Sequence, residues 1–211
     1  ADGRMEPDED AAGIVRQIFE WAADGNTAAE ITRKLYAMNI PTPGEYRKSK
    51  GKDHYNVSRT HGVWSSSTVL RMLEDQRYIG TYVIGKRKVR EIGSRRVQLK
   101  DESEWFKIPD HHPAIVSMEL FEKANASIRR FSLPNKKRRD YLLRGKVFCG
   151  CCDHAMSLRN GAWFYCRHSE VAKELPCYGV KVKMSELEQV VFDTTRAQMG
   201  PALGIDSSKD K

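Results

Sequence analysis

Apolar residues recur at helical spacing in two stretches near the start of the chain. The first predicts a helix from about residue 7 to residue 23, because its apolar positions repeat with a helical period behind a first turn rich in acids. A capping box between Thr27 and Glu30 begins the second helix, which Ile40-Pro41 ends. Both apolar stripes are expected to be core, and the second consists of Ile31, Leu35 and Met38.

The stretch from residue 41 to residue 63 is polar, basic and glycine-bearing, which predicts a long exposed loop. A third helix follows, with Ser65 as its N-cap and a hydrophobic staple between Trp64 and Val69. A helix N-terminus presents free amides to phosphate, so we select as candidate contacts its polar positions Ser66, Ser67 and Arg71. The long loop before this helix argues against an ordinary helix-turn-helix recognition helix, whose connecting turn is short.

Short strands and one further helix follow Tyr78-Ile79-Gly80. Strand patterns occur at residues 81–84, 97–99 and 105–108, and a basic arm lies between the first two. A helix is predicted from about residue 117 to residue 131, with an inward face of Leu120, Phe121 and Ala124. The expected fold class is α+β: a small helical domain with a short β-sheet, followed by a cysteine-bearing β-ribbon domain.

All of the cysteines lie in the segment from residue 149 to residue 177. A C-x2-C knuckle is followed by two single cysteines, so four thiolates can converge on one tetrahedral ion: Cys149, Cys152, Cys166 and Cys177. The pattern predicts one structural zinc ion, Zn2+, with Cys151 left over. Two alternatives stay open, because His154 or His168 can replace a sulfur ligand, or the thiols can be buried without a metal.

A hairpin is predicted between these cysteines. The dipeptide Asn160-Gly161 favours a type I′ turn, and apolar residues alternate on both sides of it. With a two-residue loop, Leu158 faces Trp163 and Met156 faces Tyr165 across the two strands. These four side chains then give one apolar face of a zinc β-ribbon.

Length and composition predict two domains in the 211 residues. We expect a first domain at 1–131, a basic linker at 132–140, a zinc-ribbon domain at 141–200 and a disordered tail at 201–211. A helix from about Ser185 closes the second domain, and Gly200-Pro201 ends it. No apolar run is long enough to span a bilayer, and clustered metal-ligating thiols fit a reducing compartment, so we predict a cytoplasmic protein.

The formal net charge is +8, and basic residues concentrate in two blocks. One block lies in the basic arm and the other in the linker, and such blocks indicate binding to the phosphates of double-stranded DNA. The alternative is that both are ordinary solvated surfaces. The basic side chains assigned to DNA are Lys86, Arg87, Lys88, Arg90, Arg95, Arg96, Lys136, Lys137, Arg138 and Arg139.

Two residues at the predicted hairpin tip are candidates for reading base edges. A two-stranded ribbon fits the major groove, where Arg159 can pair bidentately with guanine and Asn160 with adenine. Asn160 also has a purely structural explanation, since asparagine tolerates the left-handed backbone of this turn. Arg159 has no such role in the turn and is therefore the stronger candidate.

A series of short motifs extends over about residues 7–195. No single motif identifies a protein family, but the order in which they follow one another is specific. The series comprises Ile14, Ile18, Phe19, Gly25, Ile31, Leu35, Ile40-Pro41, Trp64, Val69, Leu73, Tyr78-Ile79-Gly80, His112-Pro113-Ala114-Ile115, Phe121, Leu143, Gly145, Cys149-Gly150-x-Cys152, Phe164, Cys166, Cys177 and Leu187-Glu188. It resembles the C-terminal half of the large serine recombinases, the phage integrases and transposon resolvases in which a recombinase domain precedes a zinc ribbon.

The resemblance implies a site-specific recombinase that binds DNA attachment sites through both domains, as a dimer on DNA and a tetramer in synapsis. A separate N-terminal catalytic domain is expected to supply the serine that attacks a DNA phosphodiester. No serine in this sequence is therefore assigned a catalytic role. The long heptad segment of the coiled coil that similar integrases carry is also missing from these residues.

Two functions from other classes remain as alternatives. A stand-alone zinc-ribbon transcription regulator would use the same basic surface without recombination chemistry. A zinc deaminase or hydrolase is prompted by His168-Ser169-Glu170 and by Pro176-Cys177. Val180 stands where the second cysteine of that motif belongs, and a site with four cysteines leaves no position for water.

Overall fold

The computed structural model describes residues 5–51, 62–89, 97–130 and 140–203. The predicted α+β class is confirmed. The α-helices in these residues are α1 Glu9–Ala23, α2 Ala28–Ala37, α3 Pro43–Ser49, α4 Ser66–Leu73, α5 Met118–Arg130 and α6 Met184–Leu203. The strands are β1 Tyr82–Ile84, β2 Arg87–Val89, β3 Val97–Leu99, β4 Phe106–Ile108, β5 Ser157–Arg159, β6 Trp163–Tyr165 and β7 Lys181–Lys183.

The described residues group into two compact units. Residues 5–35, 64–89 and 97–130 form the first unit, and residues 36–51, 62–63 and 140–203 form the second. Almost all of the predicted linker lies outside the described residues, so the domain limits stay predictions. None of the described helices is both long enough and apolar enough to cross a membrane.

The core of the first unit forms where α1 packs against α5. Phe19 is fully buried, and its ring centroid lies 5.8 Å from that of Tyr78 and 5.8 Å from that of Phe121. Burying an apolar side chain of this size contributes about 1.5–3 kcal/mol, so these contacts fix the helix pair. Other buried members of this core are Ile18, Ile31, Leu35, Val69, Leu73, Val116 and Ala124.

The capping box of α2 is confirmed, whereas its predicted apolar stripe is too long. The backbone N–H of Thr27 donates to Glu30 Oε2 at 2.7 Å, and that of Glu30 donates to Thr27 Oγ1 at 3.3 Å. Met38 is 54% exposed, because α2 ends at Ala37 and Asn39 turns the chain with a φ of +53°. Only the part of the stripe inside the helix is buried.

The predicted loop at residues 41–63 is wrong in its first half, where α3 forms. Thr42 Oγ1 accepts from the backbone N–H of Glu45 at 3.3 Å, and Glu45 Oε2 accepts from that of Thr42 at 2.8 Å. Pro43 occupies the first turn, where its missing N–H costs nothing. The capping box was present in the sequence, but the glycine and the basic residues around it indicated a loop. Residues 52–61 lie outside the described part of the chain.

The three predicted strands of the first unit, together with β2 in the predicted basic arm, form two small antiparallel sheets. β1 pairs with β4, so that Tyr82 lies opposite Ile108. β2 pairs with β3, so that Arg87 lies opposite Leu99. The predicted basic arm therefore contains a paired strand, β2, and residues 90–96, which follow β2 in the sequence, are outside the described residues.

The Tyr78-Ile79-Gly80 motif is hydrogen-bonded to the segment that carries His112-Pro113-Ala114-Ile115. Tyr78 O accepts from the N–H groups of Ile115 at 2.8 Å and Val116 at 3.1 Å, and Gly80 O accepts from that of His111 at 3.0 Å. Gly80 has a φ of +82°, a conformation in which glycine alone is unstrained. The two motifs thus stabilise each other at the start of β1.

Replacing Gly80 with alanine should destabilise the first unit by about 1–3 kcal/mol. A Cβ at this position would lie 2.7 Å from His112 O, and the left-handed backbone would add strain. Urea unfolding of the full chain measures the loss. The matched control is Gly13→Ala in α1, where a Cβ meets nothing within 4 Å and the helix should gain about 0.5–1 kcal/mol. Equal unfolding midpoints for the two variants would contradict the assigned role of Gly80.

The second unit contains a three-stranded antiparallel sheet in the order β5-β6-β7. Arg159 pairs with Trp163, and Leu158 pairs with Phe164. The predicted pairing of Leu158 with Trp163 is therefore wrong, as is the pairing of Met156 with Tyr165. Three residues, not two, separate the paired ends of the hairpin, and this one-residue shift places Phe164 on the buried face.

The closing helix α6 runs from Met184 through Leu203, which corrects the predicted end at Gly200-Pro201. Pro201 has no backbone N–H to donate to the carbonyl four residues before it, and the helix ends within one turn after this proline. The first three residues of the predicted disordered tail are accordingly helical. Met184 and Leu187 pack against the core of the ribbon.

Candidate metal centre and nucleic-acid interface

A tight turn carries the first two cysteines of the candidate metal centre. Cys149 N donates to His154 O at 3.0 Å, and Asp153 N donates to Cys149 O at 2.7 Å. Asp153 has a φ of +57°, which brings the chain back towards Cys149. Cys149 and Cys152 therefore lie on one side of the turn, and both are almost completely buried.

The other two cysteines lie in the segment that connects β6 to β7, with Cys166 at its start. The backbone N–H of His168 points at Cys166 Sγ, with a distance of 3.4 Å. Ser169 Oγ donates to Cys166 O at 2.7 Å, and Val180 N donates to Cys177 O at 3.1 Å. The segment thus folds back on itself, so that Cys166 and Cys177 face the first pair.

The four cysteine sulfurs form a compact buried cluster that fits a zinc ion. All four Sγ atoms lie within 4.8 Å of one another, with Cys149 and Cys177 at 3.9 Å and Cys152 and Cys166 at 3.6 Å. Tetrahedral coordination at Zn–S distances near 2.3 Å requires S···S distances of about 3.8 Å. The arrangement therefore suits a closed structural site.

The electrostatics of the cluster also favour a bound cation. Burial raises the pKa of Cys166 to about 12 and raises the pKa of the Cys177 thiol above its usual range. Burial also acts on Cys149, but the N–H groups of Cys151 and Cys152 outweigh it and lower the pKa of Cys149 to about 7. Four thiolates so close together repel one another, and a divalent ion removes that cost.

The two histidines near the site define a second possible ligand set. Cys152, His154 and His168 also bring ligand atoms within 4.8 Å of one another, and the two rings are 5.1 Å apart. This set leaves the other three buried sulfurs of the cluster without an ion, so we favour the four-sulfur set. Cys151 is exposed and its sulfur lies 3.4 Å from Pro176 O.

Two of the three residues of α4 that were predicted to contact phosphate are exposed. Ser67 and Arg71 are exposed, whereas Ser66 is half-buried. Arg71 Nε donates to Ser67 O at 3.1 Å, and Arg71 Nη2 donates to Thr68 Oγ1 at 3.3 Å. The guanidinium therefore lies along the first turn of α4, where it adds positive charge to the helix N-terminus.

Three of the predicted basic arm residues are described. Arg87 and Lys88 are exposed on β2, and Lys86 Nζ lies 5.0 Å from the ring centroid of Trp105. The other predicted basic residues lie outside the described residues: Arg90, Arg95, Arg96, Lys136, Lys137, Arg138 and Arg139.

The two predicted base-reading residues have different structural roles at the hairpin tip. Asn160 has a φ of +53° and Gly161 a φ of +68°, so Asn160 fulfils the structural role that a turn requires. Arg159 Nη1 donates to Glu170 Oε1 at 2.8 Å, and its Cζ lies 4.9 Å from the ring centroid of Tyr165. The arginine is therefore held in a defined position on the sheet.

Sequence reasoning missed the lysines of β7. Lys181 and Lys183 are exposed, and their Nζ atoms lie 5.1 Å and 5.4 Å from the ring centroid of Trp163. The alternation of Lys181, Val182 and Lys183 indicates a half-buried strand, but this segment had been assigned no strand. The predicted register had also turned Trp163 towards the core, away from these lysines.

Two family models match successive parts of this chain. The Recombinase model matches residues 9–131, and the Recombinase zinc beta ribbon domain model matches residues 142–196. The chain belongs to the recombinase family. The recombinase match spans α1 to α5, and the zinc ribbon match includes all four clustered cysteines.

Similar proteins include one curated relative and two solved structures. The uncharacterized protein y4bA/y4pH of Sinorhizobium fredii (strain NBRC 101917 / NGR234) is 28% identical over an alignment of 167 residues, and the match covers 72% of this chain and 23% of that protein. A structure described as a crystal structure of a LSR-DNA complex is 16% identical, with a TM-score of 0.39. The match covers 93% of this chain and 56% of the chain in that structure.

The second structure is described as addressing the sequence requirements of the Listeria innocua prophage attP site. It is also 16% identical, with a TM-score of 0.37. The match covers 94% of this chain and 75% of the chain in that structure. This recombinase chain thus spans about a quarter of the curated relative and just over half of the first structure.

Proposed function

We propose that this chain is the DNA-binding C-terminal part of a site-specific serine recombinase, which positions a catalytic domain at attachment sites for strand exchange. The observation that carries the proposal is the succession of a Recombinase match and a recombinase zinc ribbon match along one chain. A catalytic domain outside these residues would supply the serine nucleophile. Dimers on DNA and tetramers in synapsis belong to the same proposal.

The metal part of the proposal is one structural zinc ion held by Cys149, Cys152, Cys166 and Cys177. Zinc supplies folding free energy there, and the four-sulfur set leaves no open position for a reacting water. The cysteines and the apolar residues around them form a single small core, which includes Leu143, Met156 and Phe164. The role of this site is to keep the β-ribbon rigid while its surface contacts DNA.

The DNA contacts are proposed to divide between positioning and reading. Exposed cations such as Arg87 and Lys88 would neutralise phosphates and contribute affinity for any sequence. The first turn of α4 would add a second contact through Ser67 and Arg71. Arg159 would pair with guanine in the major groove. The basic residues of 90–96 and 136–139 stay in the proposal as phosphate contacts.

The competing functions explain less of the chain. A stand-alone zinc-ribbon regulator does not account for the recombinase match at residues 9–131. A zinc deaminase needs a water-bearing metal, whereas four buried sulfurs form a closed set. The decisive experiment is selection of double-stranded DNA from a random library by the zinc-loaded chain. Enrichment of a defined sequence supports the proposal, and recovery of unenriched DNA or of none contradicts it.

Replacing Arg159 with alanine should cost roughly 1–3 kcal/mol of binding free energy on the selected sequence and much less on unrelated DNA. The reason is that a bidentate contact to guanine is lost only where guanine occupies the correct position. Fluorescence anisotropy at one fixed salt concentration measures both affinities. Arg167→Ala in the same unit is the matched control, since it removes the same charge from an exposed position outside the sheet. Equal losses on both DNAs would mean that Arg159 contacts phosphate or nothing.

A further inference from the structure

The outer face of the ribbon sheet carries three cations beside two aromatic rings. Trp163 pairs with Arg159 on one side and with Lys183 on the other, so the three side chains form one cross-strand row. Tyr165 and Lys181 pair in the next row of the same face. The opposite face packs against the buried cysteine cluster through Leu158, Phe164 and Val182. The cation-bearing face therefore points away from the core.

The two rings hold the cations in place. Both lysine Nζ atoms lie within cation–π distance of Trp163, and the Arg159 guanidinium lies over Tyr165. Long basic side chains usually lose rotamer freedom when they bind a ligand, which weakens binding. Cations that already rest against aromatic rings lose less, so this face is prepared for an anionic partner.

Two carboxylates lie at the edges of this face. Glu170 Oε1 accepts from Arg159 Nη1 at 2.8 Å, and Glu186 Oε1 lies 3.7 Å from Lys183 Nζ. Their side chains are 59% and 61% exposed, and solvent-exposed pairs of this kind add little stability. A group on DNA can therefore replace either carboxylate at small cost. We read Glu186 as occupying the position that a phosphate oxygen takes beside Lys183, and Glu170 as occupying the position that a guanine edge takes beside Arg159.

We infer that this outer face is the surface through which the ribbon docks on the phosphate backbone of duplex DNA. Lys181 and Lys183 contact phosphates, and Glu170 restrains Arg159 so that it is released only when a better partner is available. This inference rests on the proposed DNA-binding function. It adds to that function the face of the sheet that contacts DNA, two lysines that bind phosphate and a glutamate, Glu170, that restrains Arg159. Charge complementarity with phosphate is what selects DNA as the occupant.

The first test compares two pairs of lysine substitutions in the zinc-loaded chain. Lys181→Gln with Lys183→Gln should lower the slope of log K against log salt by about 1.8 for a fluorescein-labelled duplex of random sequence. The control pair is Lys146→Gln with Lys173→Gln, which removes the same charge from exposed positions of the ribbon outside this face. It should leave the slope unchanged. Zinc content and the thermal melting curve establish that all variants are folded.

The second test has the opposite sign, so misfolding cannot produce the expected result. Glu170→Gln should raise affinity for the selected sequence about two- to fivefold and affinity for the random duplex much less, because it frees Arg159 from an exposed ion pair. The matched control is Glu174→Gln. Glu174 lies in the same connecting segment, is also exposed and carries the same charge, so its substitution should change the affinity little.

Identical salt slopes for the two lysine pairs would overturn the inference, as would identical affinities for the two glutamate variants. In both cases enrichment of a defined sequence by the unsubstituted chain would leave the proposed function standing. Failure of the unsubstituted, zinc-loaded chain to bind any duplex would remove the proposed function and this inference together.

Discussion

Removal of zinc should unfold the ribbon of the second unit. Apparent binding free energies of structural zinc sites are about 10–16 kcal/mol, which is as large as the whole stability of many domains, about 5–15 kcal/mol. Cys149→Ser and Cys166→Ser should have the same effect, because each removes one of the four clustered sulfurs. Metal analysis should give about one zinc per chain, and amide hydrogen exchange should show loss of protection in β5, β6 and β7 on addition of a chelator.

Cys151→Ser is the matched control for the zinc prediction. Cys151 neighbours a knuckle cysteine but is exposed and stands apart from the sulfur cluster, so its loss should leave zinc content and exchange protection unchanged. Protection of α1 and α5 in the first unit should also persist in chelator. A zinc content near zero, or a protected ribbon in either cysteine variant with chelator present, would contradict the four-sulfur site.

The sulfur cluster could be predicted from the sequence because its geometry is largely local. A C-x2-C spacing fixes two sulfurs on one turn, and few other positions in this chain can supply the remaining two. Thr27 and Glu30 gave the start of α2 for the same reason, since both partners of the capping box lie within one turn. When both partners of an interaction lie within a few residues, few other arrangements of the chain are compatible with the sequence.

The ribbon register could not be predicted in this way. Asn160-Gly161 marks the turn in either register, and only the length of the loop decides which residues face the core. Phe164 and Trp163 are both large and apolar, so the hydrophobic pattern by itself did not separate them. The sheet face that carries Lys181 and Lys183 was missed as a consequence, because it depends on the third strand and on the correct register.

Most of the contacts in the first unit that join distant segments were also beyond sequence reasoning. Arg16 Nε donates to Ile115 O at 3.0 Å, and Asn125 Nδ2 donates to Leu73 O at 2.7 Å. Neither residue had been singled out, because the sequence carries no signal for a polar partner far away along the chain. By contrast, apolar positions that were expected to form the core are buried in α1 and α2, as Ile18 and Leu35 show, whereas Leu120 and Phe121 of α5 are half-buried.

Phe164→Ala should destabilise the ribbon by about 3–5 kcal/mol, whereas Trp163→Ala should cost only about 1–2 kcal/mol. Phe164 is fully buried against the cysteines and its ring lies 5.8 Å from that of Tyr141, while Trp163 is half-buried on the outer face. Urea unfolding of the zinc-loaded chain, followed by exchange protection of β6, measures both losses. If the two-residue loop were correct, Trp163 would face the core and the order of the two losses would be reversed. The larger loss at Phe164 would thus establish the register that turns Trp163 and its two lysines outward.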